Sequence, residues 1–327
     1  GIVWIGPRAE LIDQMGSKIE SKRIAADADV QSVPGYHGED QEPVRLQEEA
    51  RRIGFPVLIK ASAGGGGKGM RRVDVESEFL QALALAKQEA LRAFADDRVL
   101  IEKLILHPRH LEVQLGDRHG GLVHLFEREC SVQRNYQKVI EEAPAAFLPE
   151  IVRTRLFEAA LKLGRRIRYD SLGTVEFVLD KDSDQPYFLE MNTRLQVEHP
   201  VTEQITGLDL VELQLRVAAG ETLPEELSRI EPRGWAIEAR VNCEDPAHDY
   251  RPQLGKVSRC HEPALAGVRV EGGIAAGSEV GPYYDSMVAK IIGHGAGRAT
   301  ALARLDAGLA QFEVLGVGRG KKKMYTQ

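Results

Sequence analysis

Cysteine is scarce here. The three present, Cys130, Cys243 and Cys260, are odd in number and show no metal-ligand spacing. Such a set argues against a disulfide framework and fits thiols that pack in a reducing compartment. Long apolar runs are missing as well: none reaches the roughly 18 residues of a membrane span, so no membrane partner is expected. Basic excess is absent too. A formal charge of -6 excludes a nucleic-acid binder that works by bulk charge, and the one basic run, Lys321-Lys322-Lys323, reads as a solvated tail. There is no initiator methionine, no leader pattern, no internal repeat and no low-complexity segment. The chain opens on Ile2-Val3-Trp4-Ile5, which reads as a strand, so a further segment is expected upstream. What the sequence does have is apolar content: 43% of 327 residues, enough for two or more domains with their own cores.

The most informative stretch runs from Tyr187 to Pro200. If it stays extended, Phe188, Glu190, Asn192, Arg194, Gln196 and Glu198 share one face, and Tyr187, Leu189, Met191, Leu195 and Val197 share the other. Upstream, Gly173 to Leu179 also alternates, and Asp180 to Gln185 is rich in turn formers. A hairpin folded about Ser183 sets Glu176 opposite Glu190, with Cβ atoms about 4.5–5.5 Å apart. Like charges so placed repel unless a cation lies between them. Mg²⁺ suits the position, being a hard ion that takes carboxylate oxygens and bridges substrate phosphates. The alternative is a solvated strand face, but Lys and Ser, which such faces favour, are missing from it.

Elsewhere, Ala9 to Ala28 reads as helices with Lys18 in the middle, and Glu42 to Ile53 as a helix closed by Gly54. A short strand, Phe55 to Lys60, leads into the glycine-rich run Ala61 to Gly69 and a second strand-like segment, Met70 to Val73. Gly64, Gly66 and Gly69 formally match G-x-G-x-x-G, but a dinucleotide fingerprint must open a helix. A glycine-rich flap between strands can instead lay backbone N–H groups over phosphates, with Lys60 and Lys68 adding charge. Ser77 is expected to cap a helix through Phe94. Val99 to Ile105 reads as a strand and linker that could present backbone groups to a purine. His110 to Leu115 and Leu122 to Phe126 read as a hairpin, Glu127 to Arg134 as an exposed polar loop, and Pro149 to Arg166 as an amphipathic helix. Asp209 should cap a helix ending at Gly220. The polar linker Glu225 to Arg233 is the expected domain boundary. Beyond it, Trp235 to Asn242, Lys256 to His261, Gly267 to Val270 and Met287 to Ile292 suggest a smaller, strand-rich domain, with a helix from Ala299 to Phe312.

The string Glu190 to Glu203 resembles the signature of biotin carboxylase, an ATP-grasp enzyme. So do Lys60 to Met70, Arg128 to Lys138, Glu141-Glu142-Ala143-Pro144 and Pro282 to Met287, and the resemblance extends from Trp4 to about Leu315. Carbamoyl-phosphate synthetase and other ATP-grasp ligases share the plan but not these strings. The resemblance implies an α+β chain: an ATP-grasp fold with a smaller strand-rich C-terminal domain. Residues 1–32 would be the remnant of an N-terminal subdomain with linker helices, 33–104 the lid subdomain with the glycine-rich flap, 105–224 the catalytic subdomain and 233–327 an incomplete C-terminal domain.

The reaction implied is ATP-dependent phosphorylation of bicarbonate to carboxyphosphate, whose breakdown gives the CO₂ that carboxylates biotin. By motif position, Glu176 and Glu190 would bind Mg²⁺ (or Mn²⁺), with Asn192 beside them. Lys18, Lys60, Gly65, Gly66, Gly67, Lys68, Gly69, His110 and Gln133 would hold ATP phosphates or their surroundings, and Glu102, Lys103 and Leu104 would meet adenine. Lys138, Arg194, Gln196 and Val197 would surround bicarbonate, Glu198 would be its general base, and Arg269 would stabilise the biotin enolate. The implied partners are a biotin carboxyl carrier protein or domain, a carboxyltransferase subunit and a second copy of the chain, in the cytoplasm or, in a eukaryote, the mitochondrial matrix. Departures from the family pattern are Asn135-Tyr136 after Arg134, Asp29 where a helix-ending Gly is common, a hairpin one residue short at Leu115-Gly116, and an unfamiliar tail after Gly316. Two rival readings are another ATP-grasp carboxylate ligase and a non-catalytic ATP-binding fragment of a carboxylase assembly.

Overall fold

The computed structural model describes residues 1–63, 69–117 and 121–318. Gly64 to Gly67 and Lys68, most of the expected flap, lie outside the described residues, as does the basic run at 321–323. The chain divides into two units. One comprises Gly1–Lys138, Phe147–Val197 and Asp209–Ile230; the other comprises Val139–Ala146, Glu198–Leu208 and the residues from Glu231 onward. The polar linker thus does contain a boundary. The second unit also recruits two earlier segments that a linear division assigns to 105–224.

In the first unit, α1 (Ala9–Gly16) and α2 (Lys18–Asp27) are separate helices. Ser17 starts the second, its side chain accepting from the Glu20 N–H, so Lys18, in the middle of the helical stretch, is the first residue of the second helix. Asp29, just past α2, has φ 55, the left-handed conformation that favours glycine there. Ile2 to Ile5 is not a strand, and all four residues are exposed.

A four-stranded sheet follows, built from β1 (Gly35–Tyr36), β2 (Val57–Ala61), β3 (Arg71–Val73) and β4 (Val99–Lys103) in the order β1-β4-β2-β3. Helices α3 (Pro43–Ile53) and α4 (Phe79–Phe94) close its core around Leu46, Val57, Ile59, Phe79, Leu83 and Ile101. Phe79, Leu83, Ala86 and Ala90 recur at helical spacing on the buried face of α4. That helix begins at Phe79 after a 3₁₀ turn, Glu76–Glu78, so Ser77 lies within the turn and is not its cap. Gly69, where the flap returns, has φ 69, and a Cβ there would come within 2.9 Å of Ala61 Cβ, so only glycine fits.

The site-bearing strands of this unit are β5 (Pro108–Gly116) and β6 (Val123–Arg134), then β8 (Leu172–Asp180) and β9 (Gln185–Asn192), in the antiparallel order β6-β5-β8-β9. α5 (Glu150–Arg166) packs against β5 and β6. Glu127 to Arg134, expected as an exposed loop, is the second half of β6; Glu127 and Arg128 are buried because they face partners on β5 and beyond. The register slips between Val113 and Leu115, with Phe126 at φ 67, a bulge with its extra residue on β6. Asn135 and Tyr136, at φ 51 and 63, make the tight turn into β7 (Gln137–Ala143) in the pattern of a type I′ turn. Asp209 caps α7 (Leu210–Ala218) by accepting from the Glu212 N–H.

In the second unit, β10 (Trp235–Asn242), β15 (Val268–Gly272) and β17 (Met287–Gly295) join β7 in the order β15-β17-β10-β7. Helices α6 (His199–Thr206) and α8 (Arg298–Gln311) pack on β10 and β17, over a core including Ile237, Ala239, Val288, Ile291 and Leu305. Three two-stranded pairs complete it: β11 (Glu244–Asp245) with β12 (Arg251–Pro252), β13 (Gly255–Lys256) with β16 (Glu279–Val280), and β14 (Arg259–His261) with β18 (Glu313–Leu315). No helix among the described residues is long and apolar enough to cross a membrane.

Candidate functional site

One register row crosses four strands of the first unit. Arg128 on β6 faces Glu112 on β5, Glu112 faces Glu176 on β8, and Glu176 faces Glu190 on β9. The next row on the same face is Gln114, Thr174 and Asn192. The facing of Glu176 and Glu190 is the one expected from sequence, but it is reached through a bulge. Phe177 pairs with Phe188 while Glu176 pairs with Glu190, so Leu189 is an extra residue. Phe188 therefore turns into the core against Phe177, on the opposite face from Glu190. The expected single extended face also ends at Asn192: Arg194 is exposed, Gln196 is buried, and Glu198 starts a helix.

The row holds three carboxylates, and the chain surrounds them with cations and amides. Arg128, fully buried, donates through Nη1 to Gln114 Oε1 (2.9 Å), through Nη2 to Thr174 Oγ1 (3.0 Å) and Gln196 Oε1 (2.9 Å), and through Nε to Glu112. Lys138 Nζ lies 2.6 Å from Glu112 Oε2 and 2.9 Å from Glu176 Oε1. His110 Nδ1 accepts from the Gln133 amide (2.9 Å), which leaves Nε2–H to donate to Glu176 Oε2 (2.7 Å). Asn192 Nδ2 and Gln196 Nε2 donate to Glu176 Oε1 at 2.7 and 2.6 Å.

Burial would raise the pKa of Glu176, but Lys138 and His110 outweigh it and hold this carboxyl well below the usual range. Glu112, which burial would also raise, is brought down to about 2 by Arg128 and Lys138. Glu190 goes the other way: burial and the Glu176 charge raise it, against the pull of Lys18, Lys60 and Lys138. One member of the pair is a firm anion and the other leans toward its proton, the state a divalent cation between them would reverse. His110, Glu112 and Glu176 also place one ligand atom each within 4.8 Å of one another.

Lys60 and Lys22 bind the buried Glu102 carboxylate at 2.5 and 2.6 Å. Burial would raise this group, yet the two ammonium groups lower it to about 2. Burial lowers Lys18, against the attraction of Glu190. The Lys103 N–H donates to the Pro34 carbonyl (2.8 Å) and the Leu104 N–H to that of Pro56 (3.1 Å), while Lys103 Nζ reaches the carbonyls of Gly54 and Phe55. The Glu102 carboxylate is thus paired inside the chain, and the Lys103 and Leu104 N–H groups are bonded to backbone carbonyls. The Gly69 N–H likewise donates to Glu89 Oε1 (3.1 Å). Gly65, Gly66, Gly67 and Lys68 lie outside the described residues. Val197 is half-buried, and Arg194 donates through Nη1 to the Leu195 carbonyl.

The second unit carries its own charged cluster. Glu198, buried, accepts from Arg240 Nη2 at 3.0 Å, and Arg240 Nε donates to Glu141 Oε1 at 2.6 Å. Arg269 does not meet Glu198 through these bonds. It holds Glu203 at 2.6 Å and Glu271, while Lys290 holds Glu271 at 2.5 Å. The guanidinium on Glu198 is that of Arg240. Sequence reasoning missed Arg240 and Arg128, because each stands inside a segment read only as a strand or a loop. The available signal was a charge at strand spacing among apolar neighbours, as with Glu238 and Arg240 on β10.

The chain matches the family model described as "Carbamoyl-phosphate synthase L chain, ATP binding domain" over residues 17–226, and that described as "Biotin carboxylase C-terminal domain" over residues 238–324. It is 48% identical over 318 residues to the mitochondrial methylcrotonoyl-CoA carboxylase subunit alpha of Glycine max, and 50% identical over 322 residues to the mitochondrial propionyl-CoA carboxylase alpha chain of Homo sapiens. Each match covers 97% of this chain and 44% of the relative, so the chain spans less than half the length of those proteins. Among solved structures, it is similar to the biotin carboxylase domain dimer of Hydrogenobacter thermophilus 2-oxoglutarate carboxylase in complex with MgADP, ADP and bicarbonate. That match has 42% identity and a TM-score of 0.93, over 97% of this chain and 70% of that one. The biotin carboxylase of Campylobacter jejuni in its β,γ-ATP complex matches at 41% identity and a TM-score of 0.92, over 97% and 71%.

Proposed function

The chain belongs to the biotin carboxylase family, and from that premise we propose that it carboxylates biotin, using ATP and bicarbonate, as the first half-reaction of a biotin-dependent carboxylase. The observation that carries the reading to this chain's own residues is the Glu176–Glu190 pair, two carboxylates face to face with Asn192 alongside. The donor set is all oxygen and hard, which suits Mg²⁺ (or Mn²⁺). Glu176 and Glu190 would hold the ion, with Asn192 beside them. When bound, the ion neutralises charge on the phosphates of ATP.

The remaining roles follow from what each side chain can do. Lys18 and Lys60 offer ammonium groups to the phosphates, and Lys60 leaves Glu102 to do so while Lys22 stays. His110, held by Gln133, keeps a ring N–H on Glu176 and so fixes that carboxylate. Lys138 and the exposed fork of Arg194 offer donors to bicarbonate. Gln196, tied to Arg128 and Glu176, and Val197 shape its surroundings. Glu198 takes the bicarbonate proton as an oxygen of bicarbonate attacks the γ-phosphorus and ADP departs. The product, carboxyphosphate, divides into CO₂ and phosphate; the phosphate takes the ureido N–H proton of biotin, and the enolate so formed adds through nitrogen to CO₂. Arg240, on Glu198, supplies the positive charge next to that base, and Arg269 would stabilise the biotin enolate.

The biotin would arrive on a carrier protein or domain, and the carboxylated product would pass to a carboxyltransferase subunit of an acyl-CoA carboxylase, with a second copy of the chain as partner. The mitochondrial matrix is the expected compartment in a eukaryote, the cytoplasm otherwise. The test is ADP release from Mg-ATP and bicarbonate with and without free biotin. Biotin-stimulated release is the expected result. ATP binding in a calorimeter with no biotin-dependent release would favour a nucleotide-binding piece without turnover.

A further inference from the structure

We propose that Glu141 is a positioning residue: it fixes Arg240, so that Arg240 holds the Glu198 carboxylate in a single orientation. The inference rests on the reading of Glu198 as the base. Arg240 has two carboxylate partners in the second unit, and they are unequal. Both Nε and Nη2 lie 2.6 Å from Glu141 Oε1, whereas Nη2 reaches Glu198 Oε2 at 3.0 Å. Glu141 is fully buried, so water does not screen the attraction, and the pair acts as a fixed anchor unlike an exposed ion pair. Its place is set by backbone register. On β7 and β10, Glu141 faces Glu238 and Ile140 faces Ala239, which puts Arg240 one diagonal step from Glu141. The anchor therefore stands on a paired strand, while the group it serves stands at the start of α6.

Glu238 explains why Glu141 can stay charged. It is fully buried, and neither of its oxygens has a hydrogen-bond partner among the described residues. Two carboxylates facing across paired strands in so dry a setting do not both ionise unless each has its own bonded cation, as Glu112 and Glu176 have and Glu238 does not. Arg240 settles the choice in favour of Glu141. Burial, then the Glu141 charge, push Glu238 well above the carboxylate range, and Lys290, on β17 opposite Arg240, does not reverse this. Glu238 is then a neutral filler behind the anchor, Glu141 is the anion, and Arg240 carries its orientation to Glu198.

The test uses the 327-residue chain with three variants, Glu141→Gln, Glu141→Asp and Glu238→Gln. In biotin-dependent ADP release, Glu141→Gln should lower kcat by about 10- to 100-fold while KM for ATP moves less than about twofold, and Glu141→Asp should recover part of the loss. Glu238→Gln, which mimics the protonated acid, should stay within about twofold of the parent. A second readout does not depend on turnover: the Arg240 Nε–H resonance should exchange slowly with solvent in the parent and in Glu238→Gln, and quickly in Glu141→Gln. An unchanged kcat, an Arg240 signal indifferent to Glu141→Gln, or a kcat loss matched by loss of folded protein would each overturn the proposal. A parent with no biotin-dependent release would defeat the proposed reaction instead, and the Arg240 signal would still decide whether Glu141 anchors it.

Discussion

Two of the carboxylate pairs that face one another across strands behave differently. Glu176 and Glu190 meet on β8 and β9 of the first unit, and Glu141 and Glu238 meet on β7 and β10 of the second. In each, one member is held as an anion by a protein cation and the other is pushed toward its proton. The difference lies in access. Glu190 is partly exposed and within the influence of Lys18 and Lys60, whereas Glu238 is sealed. A partly open pair of this kind can exchange its proton for a metal ion. A sealed one keeps the proton and serves as packing. The same local geometry thus yields a ligand site or an anchor according to what surrounds it.

The sharpest break in that contrast is Glu176→Gln. It removes the anion that Lys138, His110, Asn192 and Gln196 all address, so ADP release should fall by at least about 100-fold and half-saturation by Mg²⁺ should move up. A metal titration indistinguishable from that of the parent would show that the open pair is not the ion's seat. Next in size is Arg128→Met. It leaves Glu112 buried beside Lys138 with its other cation gone, and urea unfolding should record a loss of about 3–5 kcal/mol; a change below about 1 kcal/mol would mean the row is not dry.

The smallest effect concerns pH, and the two signs are opposite. Glu102 and Glu112, held down to about 2 from an ordinary 4.5, add stability that is complete above about pH 4.5 and is lost as pH falls toward 2. Glu238 is raised, so it costs stability above pH 4.5, where the unfolded chain ionises it and the folded chain does not. Glu238→Gln should therefore be more stable than the parent at pH 7 and equal to it below about pH 4. A variant less stable at pH 7 would mean that Glu238 is ionised after all, and the two pairs would no longer contrast.

How much of this could be read from the residues depends on the range of the pattern that carries it. Alternation in Gly173–Leu179 and from Tyr187 onward was enough to bring Glu176 to Glu190, because a hairpin is a local object. Asp209 and Gly54 likewise marked helix ends through their own chemistry. Arg128 was not legible: its burial comes from Glu112, Gln114 and Thr174, on strands far along the chain, and in isolation Glu127 to Arg134 reads as a polar loop. Arg240 was hidden for the same reason, since only the pairing of β7 with β10 brings Glu141 beside it. The pairing of the Glu102 carboxylate was not legible either, because nothing local says that Lys22 and Lys60 converge on it.

The extra residue at Leu189 works as slack in the hairpin. From the turn outward, Asp180 pairs with Gln185 and Phe177 with Phe188; continued without interruption, that count would bring Glu176 against Leu189, an aliphatic side chain with nothing to offer an ion. Letting out one residue at that point corrects the count where the ligands begin. The turn at 181–184 and the carboxylate pair are thereby uncoupled, so a residue gained or lost in the turn can be absorbed at the bulge without parting Glu176 from Glu190.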